Sequence, residues 1–297
     1  MIRGDPYPYP VREADRKIRL LRQGCGRGLD CMVTTSIEAG DFAIISSHSS
    51  ITHDVCIGKH ASSIQMNWSF RADPKKLLII GAGGLGSEYA WVAAEMNHAA
   101  HNDSSGGAVW KILGYIDADP QKRGQSIGGH FVHGTIEEAC PKFADMDIGF
   151  AVAIGNNKAR ERMACEVEKF GWTAEILAHP SAIIAAGVEI GAGSYLAPGA
   201  VICPGARVGR HVIINTHVSV GHDSILEDFV QVCPGGRVSG SCRVETGGFI
   251  GSNASLAPNA VVGEQAVVGA NSFVLTKVKP GTTVLGCPAL AVGKVSR

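Results

Sequence analysis

From Ile184 onward every sixth residue is aliphatic, through Ile190, Leu196, Ile202, Val208 and Ile214 to Val274, sixteen in succession without a break. The position four places later is small or valine, as at Ser194, Ala200, Ala206, Val212, Val218, Ser224 and Val230. A period of six is neither the two of a pleated strand nor the 3.6 of a helix, so no ordinary sheet or helix accounts for it. It fits a triangular solenoid whose flat sides are short strands, each turning one aliphatic side chain inward. Three sides of six residues make a coil of about 18, so Ile184 to Val274 supplies about five coils around one aliphatic core. The small residue is expected to let the chain turn each corner. The fold expected for residues 179–297 is therefore a left-handed parallel β-helix, which says nothing about activity by itself.

A second organisation precedes it. Leu77-Leu78-Ile79-Ile80 has the character of a buried strand, followed by Gly81-Ala82-Gly83-Gly84-Leu85-Gly86 and a helical stretch to about Asn97. Lys111 to Ile116 is strand-like and ends in Asp117; Asp147 to Ile154 is another apolar run, closed by Gly155-Asn156-Asn157 and a helical pattern to Phe170. Strand and helix in alternation, with a glycine turn after the first strand, predict a small Rossmann-like α/β unit over residues 76–178. A glycine-rich turn alone is a weak sign, and its placement between strand and helix strengthens it; the plain alternative is a tight turn with no ligand. Asp117 lies farther along than the usual spacing of about 20 residues, and the polar stretch His98 to Gly107 reads as an insertion that accounts for the gap.

Residues 1–75 are least legible. Ile45, Ile51 and Ile57 repeat the six-residue phase, with Ser49, Val55 and Ala61 at the small positions, which predicts roughly one further coil. One coil cannot bury its own ends, so it would pack on another part of the protein or on a neighbouring subunit.

Lys plus Arg equals Asp plus Glu at 27 each, so no global field favours nucleic acid or anionic lipid. No apolar run approaches a membrane span, Met1 to Pro10 lacks the pattern of a signal sequence, and nine cysteines without a C-x-x-C spacing read as reduced thiols. A cytoplasmic location is expected.

Within the solenoid, polar side chains that interrupt the bland corners are informative. Asn215, His217, His222 and Asp223 fall on two successive sides of one coil. A histidine titrates near neutrality and can take a proton from an incoming amine or hydroxyl, and an adjacent carboxylate can hold its ring in one tautomer. The alternative is that these histidines merely decorate a solvated surface.

From Lys76 to the C-terminus the chain resembles the bacterial sugar acetyltransferases that include sialic acid O-acetyltransferases and the UDP-4-amino-sugar and GDP-perosamine N-acetyltransferases. The resemblance rests on an ordered set: Leu-Ile-Ile-Gly-Ala-Gly-Gly, Tyr-Ile-Asp, Phe-Ala-Val-Ala-Ile-Gly-Asn-Asn-Lys-Ala-Arg, Ala-His-Pro-Ser-Ala, Asn-Thr-His-Val-Ser-Val-Gly-His-Asp and Gly-Cys-Pro-Ala. It implies transfer of an acetyl group from acetyl-CoA, as co-substrate, to a nucleotide-activated sugar. It further implies a homotrimer with its active sites between neighbouring β-helices. On that resemblance His222 would be the general base, Asp223 would raise its basicity, and Asn215 would stand at the mouth of the site. Gly83, Gly84, Leu85, Asp117 and Gly155 would hold the nucleotide part of the sugar. Pantetheine and thioester would run past Gln231, Gly240, Ser252 and Ala270, with Pro288 near the adenine. A backbone N–H near Gly240 would steady the oxyanion.

Two positions depart from the family pattern, Leu85 and Gln231, where its members often carry histidine. Leu85 removes a polar contact to the sugar nucleotide, and Gln231 keeps a donor that cannot titrate. Thr52-His53-Asp54 sits in the same phase as Gly221-His222-Asp223 and reads as a structural remnant. N-acetylation is favoured over O-acetylation because a free amine is the better nucleophile and the Ile-Gly-Asn-Asn stretch leans toward the amino-sugar enzymes. A zinc enzyme of the γ-carbonic anhydrase type would need a third ligand whole coils away from His217 and His222; two coils back stand Ser181 and Ala186, which cannot ligate zinc. A non-catalytic scaffold is the remaining alternative, against which stand the His-Asp pair and the attached nucleotide-type unit.

Overall fold

A computed structural model describes residues 73–102 and 109–292. The expected coil around Ile45, Ile51 and Ile57, together with Thr52-His53-Asp54, lies outside the described residues.

The α/β unit is a four-stranded parallel sheet in the order Trp110–Ile116, Lys75–Ile80, Ile148–Val152, Thr173–Ala174. Leu77 to Ile80 are buried, as expected of a strand covered on both faces. The helix Gly84–Asn102 lays Tyr89, Val92, Ala93 and Met96 against one face of the sheet, the spacing of an amphipathic helix. It outruns the sequence expectation, which ended it near Asn97. Ala99 and Ala100 are strong helix formers, so the start of the supposed insertion is helical. Asn97 also bridges to the next strand: its Oδ1 accepts from the N–H groups of Val109 (2.9 Å) and Trp110 (2.8 Å). The second long helix, Asn157–Glu168, is capped by Asn156, whose Oδ1 accepts the Ala159 N–H at 3.0 Å.

The solenoid is a β-helix of two-residue strands with three sides. On each side strands stack in parallel at a constant offset: Tyr195 pairs with Ile213, which pairs with Gln231, which pairs with Phe249. The first residue of each strand faces out and the second faces in, and Leu196, Ile214, Val232, Ile250 and Val268 are fully buried. The corners differ from expectation in one respect. The turn is made by the residue before the small one, which adopts a left-handed backbone at every sixth position. Gly193 (φ 77°), Gly199 (φ 69°), Gly205 (φ 74°), His211 (φ 53°), His217 (φ 56°) and Asp223 (φ 58°) illustrate the run. The small residue then fills the inside of the corner: Ala200, Val212, Val218 and Ser224 have no exposed surface.

The solenoid begins slightly before residue 179, because Leu177–Ala178 already pairs with Tyr195–Leu196. Its first coil is incompletely covered, leaving Ile184 38% exposed although it belongs to the inward-facing series. At the other end the six-residue phase breaks after Val274. The next inward residue is Val278, Val261 pairs with Lys277, and the array closes in an antiparallel hairpin, Thr283–Leu285 with Leu290–Val292.

One of the three sides is covered by the α/β unit. Tyr195 stacks on Tyr89 with ring centroids 4.0 Å apart, and Ile213 is fully buried in the same cluster. A second side carries Glu189, Arg207 and Arg243 outward and is charged. The third presents Ile183, Val201, Ser219, Arg237, Ser255 and Phe273.

Candidate functional site

The third side is bracketed by two corners, and most of the predicted solenoid residues stand along them. On one corner are His222, Asp223 and, one coil up, Gly240. On the other are Asn215, then Ser252 and Ala270 stacked one coil apart, with Pro288 in the turn of the terminal hairpin beyond them. His217 stands on the Asn215 corner, across the flat side from His222, so the two histidines do not form one cluster.

His222 and Asp223 are engaged with each other. The imidazole Nδ1 lies 2.8 Å from Asp223 Oδ2, and both side chains are about two-thirds exposed, at 67% and 69%. A carboxylate only accepts, so the Nδ1–H donates, and in the neutral ring Nε2 is left with the lone pair. The ring lies over Gly240: a Cβ built there would meet Nε2 at 2.4 Å and Cε1 at 2.7 Å. Only glycine leaves room for the imidazole in this position. The Gly240 N–H donates to no other atom among the described residues, which leaves it available to an oxyanion. Asn215 is buried, and its side-chain Nδ2 donates to the Val232 carbonyl at 3.2 Å.

Gln231 is placed differently from the other predicted cofactor residues. Its side chain points from the side covered by the α/β unit and is 9% exposed; its Oε1 accepts from Arg160 Nη1 at 3.4 Å. Within the protomer it belongs to the seam between the two units rather than to the side bearing His222.

Arg160 dominates that seam, and sequence reasoning passed over it although it closes the Gly-Asn-Asn-Lys-Ala-Arg stretch. It is 1% exposed and donates to the carbonyls of His211 (2.9 Å), Ile154 (2.9 Å) and Phe229 (2.6 Å). No carboxylate pairs with it in these bonds, and burial pulls its pKa down to about 10, with Tyr89 opposing. Asn157 adds a second tie, its Nδ2 donating to the Gly247 carbonyl at 2.8 Å. Beside them His211 is buried and stacked on Phe229; burial lowers its pKa, against the opposing pull of Glu168.

The nucleotide-type unit shows a cleft of about 370 Å³ at the carboxyl ends of its strands, where the order of the sheet reverses between Lys75–Ile80 and Ile148–Val152. Gly81, Asp117, Ile136, Ile154 and Met163 contribute to its walls. Gly81 has φ 109°, and a Cβ there would lie 2.7 Å from the Ala153 carbonyl oxygen, so its glycine is structural. Gly83, Gly84 and Gly155 have nothing within contact of an added Cβ and are exposed, as a surface open to a ligand would be. Asp117 is largely occupied. Its Oδ2 accepts from the Ala82 N–H at 2.7 Å and Lys122 Nζ at 2.9 Å, and its Oδ1 from the Asp119 N–H at 2.9 Å. Burial works to raise its pKa, but these bonds and the Lys122 charge outweigh it and hold it below the ordinary value. Asp117 therefore braces the glycine turn, whatever it does for a ligand. Leu85, half-buried, packs against the core of the unit.

The family described as the PglD N-terminal domain matches residues 76–167. The chain is 31% identical over 145 residues to a GDP-perosamine N-acetyltransferase of Escherichia coli O157:H7; the match takes in 47% of this chain and 66% of that enzyme, just under two thirds of its length. Among solved structures it is similar to the acetyltransferase domain of PglB from Neisseria gonorrhoeae FA1090 in complex with acetyl coenzyme A. That likeness has a TM-score of 0.64 at 29% identity, covering 74% of this chain and 100% of that one. It is also similar to PerB from Caulobacter crescentus in complex with CoA and GDP-perosamine, with a TM-score of 0.65 at 25% identity, covering 73% and 97%.

Proposed function

We propose that the chain is a member of the β-helical sugar acetyltransferases of bacteria and transfers an acetyl group from acetyl-CoA to the amino group of a nucleotide-activated sugar. The observation that carries the reading is the His222–Asp223 pair: a 2.8 Å bond at Nδ1 leaves Nε2 as the proton acceptor, at the edge of an open flat side. The structures of similar proteins named above hold CoA, acetyl-CoA or GDP-perosamine, which supports both substrate classes.

The sugar amine attacks the thioester carbonyl while His222 Nε2 takes the amine proton. Asp223 holds the ring in the required tautomer and stabilises the imidazolium that forms. The Gly240 N–H faces the developing oxyanion, and CoA leaves on collapse of the tetrahedral intermediate. No covalent enzyme intermediate is needed, because the thioester is already activated. Ser252, Ala270 and Pro288 would flank the pantetheine and adenine. The cleft at Gly81 and Asp117, with the exposed Gly83, Gly84 and Gly155, would take the nucleotide. Gln231 reaches the cofactor in this reading only by leaving Arg160.

Homotrimeric assembly belongs to the same proposal. Ile183 is 65% exposed on the side bearing the dyad, and Val201 and Phe273 share that side. A neighbouring β-helix packed there would cover apolar surface and enclose His222 in a cleft between subunits. Among the described residues no helix is long and apolar enough to cross a membrane, and acetyl-CoA is a cytoplasmic metabolite, so we place the reaction in the cytoplasm.

The test is product analysis. The protein is incubated with acetyl-CoA and GDP- or UDP-linked 4-amino sugars, and the product is identified by mass and by treatment with hydroxylamine. An amide survives hydroxylamine and an ester does not. An ester product would move the enzyme to the O-acetylating branch, and no CoA release with any sugar nucleotide would sink the reading.

A further inference from the structure

Side chains at the left-handed corner position fold down over the same position one coil below. At several corners a large upper residue lies over a glycine: a Cβ at Gly199 would meet His217 Nδ1 at 2.7 Å, and one at Gly235 would meet Asn253 Oδ1 at 2.2 Å. Asp223 is seated in the same way on Gly205, where an added Cβ would lie 2.4 Å from Asp223 Oδ1. The backbone of Asp223 cannot retreat, because its N–H donates to the Pro204 carbonyl at 3.2 Å and its φ is fixed at 58°. Accommodating a methyl group would drive Oδ1 about 1 Å away, since ordinary contact begins at 3.4 Å. The two oxygens of a carboxylate move as a rigid unit, so Oδ2 would leave its 2.8 Å bond to His222 Nδ1.

On the reading that His222 is the general base, we propose that Gly205 is a positioning residue for catalysis. The bare surface at this position, one coil below the His222–Asp223 pair, aims the Asp223 carboxylate at Nδ1 and thereby sets the tautomer that leaves Nε2 free. Gly205 has no side chain of its own and acts only through Asp223. A glycine one coil lower supplies the control: Gly187 has φ 78°, close to the 74° of Gly205, but an added Cβ there meets nothing within 4 Å. Gly187→Ala therefore imposes the same backbone strain without displacing the carboxylate.

The experiment compares Gly205→Ala, Gly187→Ala, Asp223→Ala and the double variant Gly205→Ala/Asp223→Ala. Nitrogen-15 NMR of the full chain first reads the His222 tautomer, a measurement that needs no substrate. Gly205→Ala is expected to shift the ring away from the Nδ1–H form, and Gly187→Ala to leave it in place. In CoA release from acetyl-CoA with GDP-perosamine, Gly205→Ala is expected to lower kcat by about 10–100-fold with KM for both substrates little changed. Added to Asp223→Ala it should cost nothing more, because the carboxylate that Gly205 seats is already gone. An unchanged His222 tautomer in Gly205→Ala, or an equal change in Gly187→Ala, overturns the inference. Those outcomes are separable from failure of the catalytic reading, which would show as full turnover in His222→Ala.

Discussion

Replacing Arg160 with leucine tests how the two units are held together. The guanidinium makes three bonds of 2.6 to 2.9 Å, two across the seam to the carbonyls of His211 and Phe229 and one within the α/β unit to that of Ile154. A hydrogen bond to a charged group contributes about 1.5–3 kcal/mol, and each buried carbonyl left alone costs about 1–3 kcal/mol. Against this stands the desolvation of a cation that is 1% exposed, a penalty of several kcal/mol that leucine removes. Three stranded acceptors outweigh that relief, and the net loss expected is about 3–5 kcal/mol, with a fall in melting temperature of about 10 °C. Arg160→Lys should recover little, because one ammonium cannot span three divergent carbonyls. Guanidinium unfolding followed by tryptophan fluorescence is a suitable assay, since Trp110 and Trp172 are both buried in the α/β unit. That unit should separate from the solenoid before the solenoid itself unfolds. A loss below about 1 kcal/mol in the leucine variant would refute the view of Arg160 as the central tie.

Other perturbations have defined outcomes. Gly240→Ala should displace the His222 imidazole, whose Nε2 stands 2.4 Å from the added Cβ, and lower kcat about 100-fold while the melting temperature changes little. Asp117 is held below its ordinary value of 3.8 in the folded state, so its contribution to stability is present above that pH and lost as pH falls below it. Asp117→Asn should therefore be less stable than wild type at neutral pH and show a flatter acid limb in thermal melts. His211 is likewise held below its ordinary 6.5, because burial disfavours the imidazolium, so stability should fall as pH drops below 6.5. His211→Phe keeps the stack on Phe229 and removes a buried Nδ1 that has no partner, and its melting temperature should vary less across that range.

The solenoid was legible because its signal is one-dimensional: each inward residue from Leu196 to Val268 recurs at a fixed spacing and is buried in the structure. The short last coil was not, since nothing in the period announces the step from Val274 to Val278. The His222–Asp223 pair could be read from adjacency in sequence. The glycines on either side of it could have been read as well, because a residue and its neighbour one coil away differ by a constant number; Gly205 and Gly240 stand at that distance below Asp223 and above His222. Arg160 and Asn157 were out of reach by any local rule. Their partners on the solenoid lie 51 to 91 positions away, and only the docking of the α/β unit on one side of the solenoid brings them together. The same docking explains Gln231: its phase in the repeat says that it faces outward, but not that another unit covers that side. Asp117 stands in the wall of the cleft, and the structure adds that its oxygens already serve Ala82, Asp119 and Lys122.

The most direct measurement is the initial rate of CoA release from acetyl-CoA and an amino-sugar nucleotide, compared between wild type and His222→Ala. The imidazole is 67% exposed and contributes nothing to the core, so its loss should leave the melting temperature in place while kcat falls by about 10²–10⁴-fold. A folded His222→Ala protein that turns over at the wild-type rate would contradict the assignment of the base.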